Sequence, residues 1–128
     1  MRVEYTLNAL MDRFRAETFL PLTPMAFEIL LALADGARHG YGILQEIESR
    51  SGDAPLHAGT LYRALARLLD SELIEEIDAP AAVVDDDERR RYYRLTPRGV
   101  EVARAEVRRL EGQLAVARAR RLLKGSRA

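Results

Sequence analysis

Thr60, Arg63 and Arg67 stand three and four residues apart, a spacing that puts them within roughly 60° of one another on a helix. Leu61, Ala64, Leu65, Leu68 and Leu69 fall on the opposite side of that helix. Arginine can donate two parallel hydrogen bonds to O6 and N7 of guanine, and a narrow polar stripe of this kind fits a DNA major groove. Gly59 leaves out a side chain at the helix start, where backbone N–H groups could approach a phosphate. Two arginines on an isolated helix are more often an ordinary solvated surface. The surrounding elements decide between these readings.

Other residues carry related chemistry. Tyr41 and Tyr62 can each pack a ring on the core edge or offer a hydroxyl to a phosphate; the pattern favours both roles for Tyr62 and phosphate contact for Tyr41. Arg89, Arg90 and Arg91 follow Asp85-Asp86-Asp87-Glu88 directly. Pairing across this loop would neutralise it in solvent, whereas arginines turned outward would reach a DNA backbone or minor groove. The local sequence leaves both open. His39 reads as a helix-start residue and His57, just before the arginine helix, as structural.

The positioning elements are legible. Leu7, Leu10, Met11 and Phe14 have helical spacing, so an amphipathic helix is expected over Tyr5 to Phe19, ended by Pro21. Thr23-Pro24 is an N-cap followed by proline at the first helical position. That helix buries Phe27, Leu30, Leu31 and Ala34, and Gly36 closes it. A second helix is expected from Gly40 to Arg50, and a third from about Ala58 to Ser71, after the break Ser51-Gly52-Asp53-Ala54-Pro55. Leu73 to Asp78 and Arg91 to Thr96 read as strands joined by a hairpin. Thr96-Pro97 then starts a last helix reaching towards Leu123.

Helix, turn, helix, strand, charged hairpin, strand is the order of a winged helix-turn-helix, a fold that places one helix in a DNA groove. The expected class is mainly α with a small β-hairpin. Residues 1–22 form an N-terminal extension, 23–97 the winged helix-turn-helix, 98–124 a C-terminal helix and 125–128 a tail.

Val100, Ala103, Val107, Leu110, Leu114 and Ala117 alternate spacings of three and four, the seam pattern of a coiled coil. A helix of this length projects past its own domain, so a homodimer interface is expected along it, with Leu7, Leu10, Met11 and Phe14 covering part of the partner's seam. Two-fold symmetry would present two arginine helices to a pseudo-palindromic double-stranded site. A winged-helix protein-interaction module without DNA binding is the competing reading, motivated by zero net charge and the acidic hairpin.

Composition narrows the classes. The chain has no cysteine and two histidines, so thiolate and disulfide chemistry is excluded and a histidine metal site would need carboxylates. No glycine-rich phosphate loop or nucleophile–base spacing suggests an enzyme or a cofactor. The longest apolar run, Ile29 to Ala34, is too short to cross a bilayer, and charges interrupt the N-terminal segment; no membrane partner and a cytoplasmic location are expected. Net charge is zero, but acid gathers between Asp70 and Glu88 while arginine gathers around it. Such segregation can leave a positive face on a neutral protein.

Arg38-His39-Gly40-Tyr41, Gly59-Thr60-Leu61-Tyr62 with Leu65 and Leu68, Leu73-Ile74, and Tyr92-Tyr93-Arg94-Leu95-Thr96 with Gly99 resemble the PadR family of bacterial transcriptional regulators over roughly residues 23 to 124. The resemblance implies a winged helix-turn-helix, dimerisation through the C-terminal helix, and operator binding that represses nearby genes. It also implies release by a small-molecule effector, for which a dimer cleft between the first and last helices would be the place. Ala37 stands where the family often has proline, and Ser71-Glu72 where it usually has glycine with positive φ. One helix follows the hairpin, as in the short branch of the family, so effector pockets of longer members do not transfer.

Overall fold

The computed structural model describes residues 14–52, 57–79 and 91–123. Helix α1 (Pro24–Ala32) begins where the Thr23 hydroxyl accepts the Ala26 N–H at 3.1 Å, with Pro24 supplying a helical φ. Gly36, at φ +149°, turns the chain into a short strand β1 (Arg38–His39). Helix α2 (Gly40–Arg50) is capped by His39, whose Nδ1 accepts the Gly42 N–H at 2.9 Å. The expected helix-start role of His39 is therefore a hydrogen bond to an otherwise unpaired donor.

Helix α3 (Ala58–Asp70) buries Leu61, Leu65 and Leu68. It gives way to β2 (Ile74–Ile77) and β3 (Tyr92–Leu95), followed by α4 (Pro97–Ala119). The strands form an antiparallel sheet in the order β1-β3-β2, with Arg38 opposite Tyr93 and Ile74 opposite Leu95. The described residues thus make a winged helix-turn-helix. Sequence pattern missed β1 because two residues are too few to show an alternation.

Ile29, Leu30, Ile43, Leu61, Leu65, Leu73, Ile74 and Val102 are the largest fully buried side chains. They come from all three helix-turn-helix helices, the turn after α3, β2 and the first turns of α4, and each stabilises the fold by about 1.5–3 kcal/mol through burial. Arg38 ties the end of α1 to α2: its Nε–H donates to the Ala32 carbonyl at 2.7 Å, and its guanidinium lies 3.6 Å from Glu46. Arg50 bridges Glu46 and Glu28 from the other side.

The chain closes tightly where α3, the wing and α4 meet. The Leu73 carbonyl accepts the Thr96 N–H at 3.1 Å. The Thr96 hydroxyl donates to the Glu72 carbonyl at 2.6 Å and accepts the Gly99 N–H at 3.0 Å, capping α4. Glu72 has φ +63°, in the left-handed region that most residues avoid. A Cβ on Gly99 would lie 1.9 Å from the Leu73 carbonyl oxygen. Only glycine fits there.

The N-terminal segment differs from expectation. Ala16–Phe19 is a single 3-10 turn, and Leu20 is extended before a cis Leu20–Pro21 bond. Thr18 bonds its backbone N–H and hydroxyl to the Arg15 carbonyl, a local alternative to continuing a helix. This strap lies along α4. The Arg98 guanidinium sits 5.0 Å from the centre of the Phe14 ring, and the Leu22 N–H donates to Glu106 at 3.2 Å. Glu106 is 2% exposed and accepts two further bonds from Arg109, at 2.6 and 2.9 Å.

Helix α4 stops at Ala119 instead of reaching Leu123, because Arg121 takes φ +60° and the Leu122 N–H folds back onto the Ala117 carbonyl. Leu7, Leu10, Met11, Arg89, Arg90, the acids Asp85 to Glu88 and the tail 125–128 lie outside the described residues.

Two outcomes follow for denaturation experiments. Gly99→Ala should lose about 3 kcal/mol or more of unfolding free energy, since backbone must move to admit the methyl group. Arg109 hydrogen bonds hold the Glu106 carboxyl below the usual carboxylate range, outweighing burial. A depressed folded pKa means stability present at neutral pH and lost as pH falls through that pKa. Glu106→Gln should therefore destabilise by about 1–3 kcal/mol at pH 7, and the gap should close in acid below about pH 4.

Candidate nucleic-acid interface

Helix α3 turns its leucines into the core and leaves Gly59, Thr60, Tyr62, Arg63 and Arg67 exposed. The Thr60–Arg63–Arg67 stripe is therefore a continuous outer surface. The Arg63 Nη2 lies 3.4 Å from the Thr60 hydroxyl, a long hydrogen bond, and its Nη1 lies 3.4 Å from where a Cβ on Gly59 would be. The guanidinium accordingly lies back along the first turn of α3, over Gly59. His57 precedes α3 at its cap position, exposed and without a side-chain cap bond.

The two ambiguous tyrosines resolve differently. Tyr41, in the first turn of α2, is 54% exposed. Tyr62 is half exposed, and its ring edge lies over Gly40: a Cβ there would meet the Tyr62 Oη at 2.6 Å. Tyr62 therefore packs the hydroxyl end of its ring against the start of α2, while about half of the residue remains exposed. Both residues, with His39, Gly40, Arg91 and Tyr93, line a cleft of about 360 Å³. The cleft joins the start of α2, the outer face of α3 and the base of the wing.

Arg91 lies at the wing end of this cleft and pairs with Glu76 of β2 at 3.1 Å. Arg94 pairs with Glu75 at 2.7 Å in the same way. These cross-strand pairs show that wing arginines take strand acids as partners. Both pairs are exposed enough for each to contribute little stability and to open at small cost. Burial, then the nearby Glu76 charge, push the Tyr93 hydroxyl up, so it keeps its proton at neutral pH. Sequence reasoning did not place Tyr93 in this cleft. It appears there because the two-residue strand β1 pairs with β3 and draws His39 against the wing, with the His39 and Tyr92 rings edge to face at 5.3 Å.

Among the described residues no group of histidines and carboxylates could hold a metal ion, and no helix is long and apolar enough to cross a membrane.

Fold and surface together define a winged helix-turn-helix protein whose third helix is presented outward. The chain belongs to the Transcriptional regulator PadR-like family, whose sequence pattern matches residues 29–105. An uncharacterized 37.1 kDa protein in a transposon of Streptomyces fradiae is 39% identical over 89 residues, 67% of this chain. The match spans 24% of that protein, and a second match spans 63% of a Lysinibacillus sphaericus protein, less than two thirds of either. A PadR family transcription regulator from Clostridium difficile superimposes with a TM-score of 0.63 at 24% identity, covering 74% of this chain and 95% of that one. Bacillus subtilis PadR, solved in complex with operator DNA, gives a TM-score of 0.57 at 20% identity over 68% of this chain and 47% of its own. These two likenesses show the shared fold.

The cleft geometry carries an expectation of its own. Gly40→Ala should displace the Tyr62 ring, the movable partner in the contact, and lower the melting temperature only slightly. Affinity for duplex DNA should fall several-fold in an anisotropy titration, and Tyr62→Phe should lose less than Gly40→Ala.

Proposed function

We propose that this chain is a homodimeric, sequence-specific DNA-binding regulator that represses transcription from its operator. The observation that carries the reading is the outer face of α3, where Thr60, Arg63 and Arg67 stand exposed opposite the buried Leu61, Leu65 and Leu68. In this reading α3 enters the major groove with Arg63 and Arg67 on its DNA-facing side, and Gly59 allows the backbone close. Tyr41 and Tyr62 bind flanking phosphates, and Arg89, Arg90 and Arg91 on the wing contact backbone or minor groove. The complex of Bacillus subtilis PadR with operator DNA supports this use of the shared fold.

Helix α4 supports the dimer. Gly99, Val102, Ala105 and Glu106 are its buried positions. The seam Val100, Ala103, Val107, Leu110, Leu114 and Ala117 lies roughly 100° around the helix from that face. Val107 and Leu114 are each 40% exposed, and residues 111–116 are exposed throughout. A second α4 would cover this seam. Of the N-terminal residues assigned to the same interface, Phe14 packs against its own Arg98, and Leu7, Leu10 and Met11 join the proposal as the segment leading to it. An effector seated between that segment and α4 of the dimer would release the operator by changing the distance between the two α3 helices.

Anisotropy titration against the DNA upstream of the coding sequence tests the reading. Affinity should fall at least about a hundredfold between 50 and 200 mM salt, because arginine–phosphate contacts release counterions. Salt-insensitive or absent binding would refute it and leave a protein-interaction module as the alternative.

A further inference from the structure

The two arginines of the α3 stripe are not equivalent. Arg63 is the sixth residue of α3 and Arg67 the tenth, in its last turn. In helix-turn-helix proteins it is the N-terminal part of the reading helix that reaches base edges. Arg63 also has a built seat that positions its guanidinium. Nη1 lies against the Gly59 backbone, 3.4 Å from where a Cβ would stand, and the Thr60 hydroxyl accepts from Nη2 at 3.4 Å. On the flank, Tyr62 is held in place by its contact with Gly40. A guanidinium held in one orientation loses less rotamer entropy on forming a bidentate bond to guanine. Arg67 lies about 6 Å further along the helix axis, where a helix leaving the groove passes the phosphate backbone.

We infer that Arg63, seated over Gly59 and held by Thr60, is the specificity-determining guanine reader of α3, and that Arg67 contributes phosphate affinity without sequence preference. The inference rests on the DNA-binding reading above and divides labour within it. Gly59 and Thr60 are positioning residues. At 3.4 Å an alanine methyl at position 59 would meet the guanidinium in ordinary contact, so Gly59→Ala preserves the seat. A longer side chain fills it.

Selection of a random-sequence duplex library by the full-length chain, repeated with each variant, tests this. The wild type should enrich a motif containing a guanine that Arg63→Ala no longer selects, with discrimination at that base pair falling on the order of ten- to a hundredfold. Arg67→Ala should enrich the same motif with weaker overall affinity. Gly59→Ala should keep the guanine preference, whereas Gly59→Leu and Thr60→Val should reduce it. Unchanged melting temperatures would show these variants to be folded, and a loss with Gly59→Leu and Thr60→Val that is equal on every duplex would overturn their positioning role.

A guanine preference that survives Arg63→Ala, or that disappears with Arg67→Ala, would overturn the assignment while leaving DNA binding intact. A wild type that binds duplexes without enriching any motif would overturn it as well. Failure to retain any duplex at low salt would instead remove the DNA-binding reading itself.

Discussion

The Leu73 carbonyl is the point on which the arrangement of this protein depends. It accepts the Thr96 N–H, and Gly99 lies directly beneath it with no room for a methyl group. Through Thr96 the same junction reaches Glu72, so the exit of α3, the end of β3 and the first turn of α4 share one set of hydrogen bonds. Because α3 carries the outward stripe and α4 carries the seam, this contact fixes the angle between the surface that would meet DNA and the surface that would meet a second copy. A rigid junction of this kind is what a two-fold reader requires, since half-site spacing is set by geometry.

Net neutrality and an exposed arginine stripe on α3 are compatible in this chain because acids are placed against particular arginines. Glu75 and Glu76 pair with Arg94 and Arg91 on the wing, Glu28 and Glu46 with Arg50 between α1 and α2, and Glu106 with Arg109 on α4. The stripe from Thr60 to Arg67 contains no acid. Opposing charge thus holds elements together, and the α3 stripe itself carries none of it. Glu106 shows how specific the placement is: it also anchors the Leu22 N–H, strapping residues 14–22 along the helix that bears the seam.

Regular elements were legible because their signals are local. Thr23-Pro24 and Thr96-Pro97 start helices through the hydroxyl caps observed, and the leucine face of α3 is buried as its spacing requires. Contacts between distant residues left no such mark. Strand β1 is too short for a pattern, and Tyr93 joins the cleft only because β1 pairs with β3. The Phe14–Leu22 strap depends on a buried glutamate 84 residues away from Leu22. Glu72 is instructive in the opposite sense. The position takes positive φ, and the chain adopts it with a residue that is strained there, so the turn forms without a glycine.

The most direct measurement of the account is hydroxyl-radical footprinting of a selected duplex with the full-length chain. Two rigidly joined α3 helices in a symmetric dimer should protect two patches on one face of the DNA, centred about one helical turn apart or a whole multiple of it. A single protected patch, or two patches whose separation varies from duplex to duplex, would contradict it.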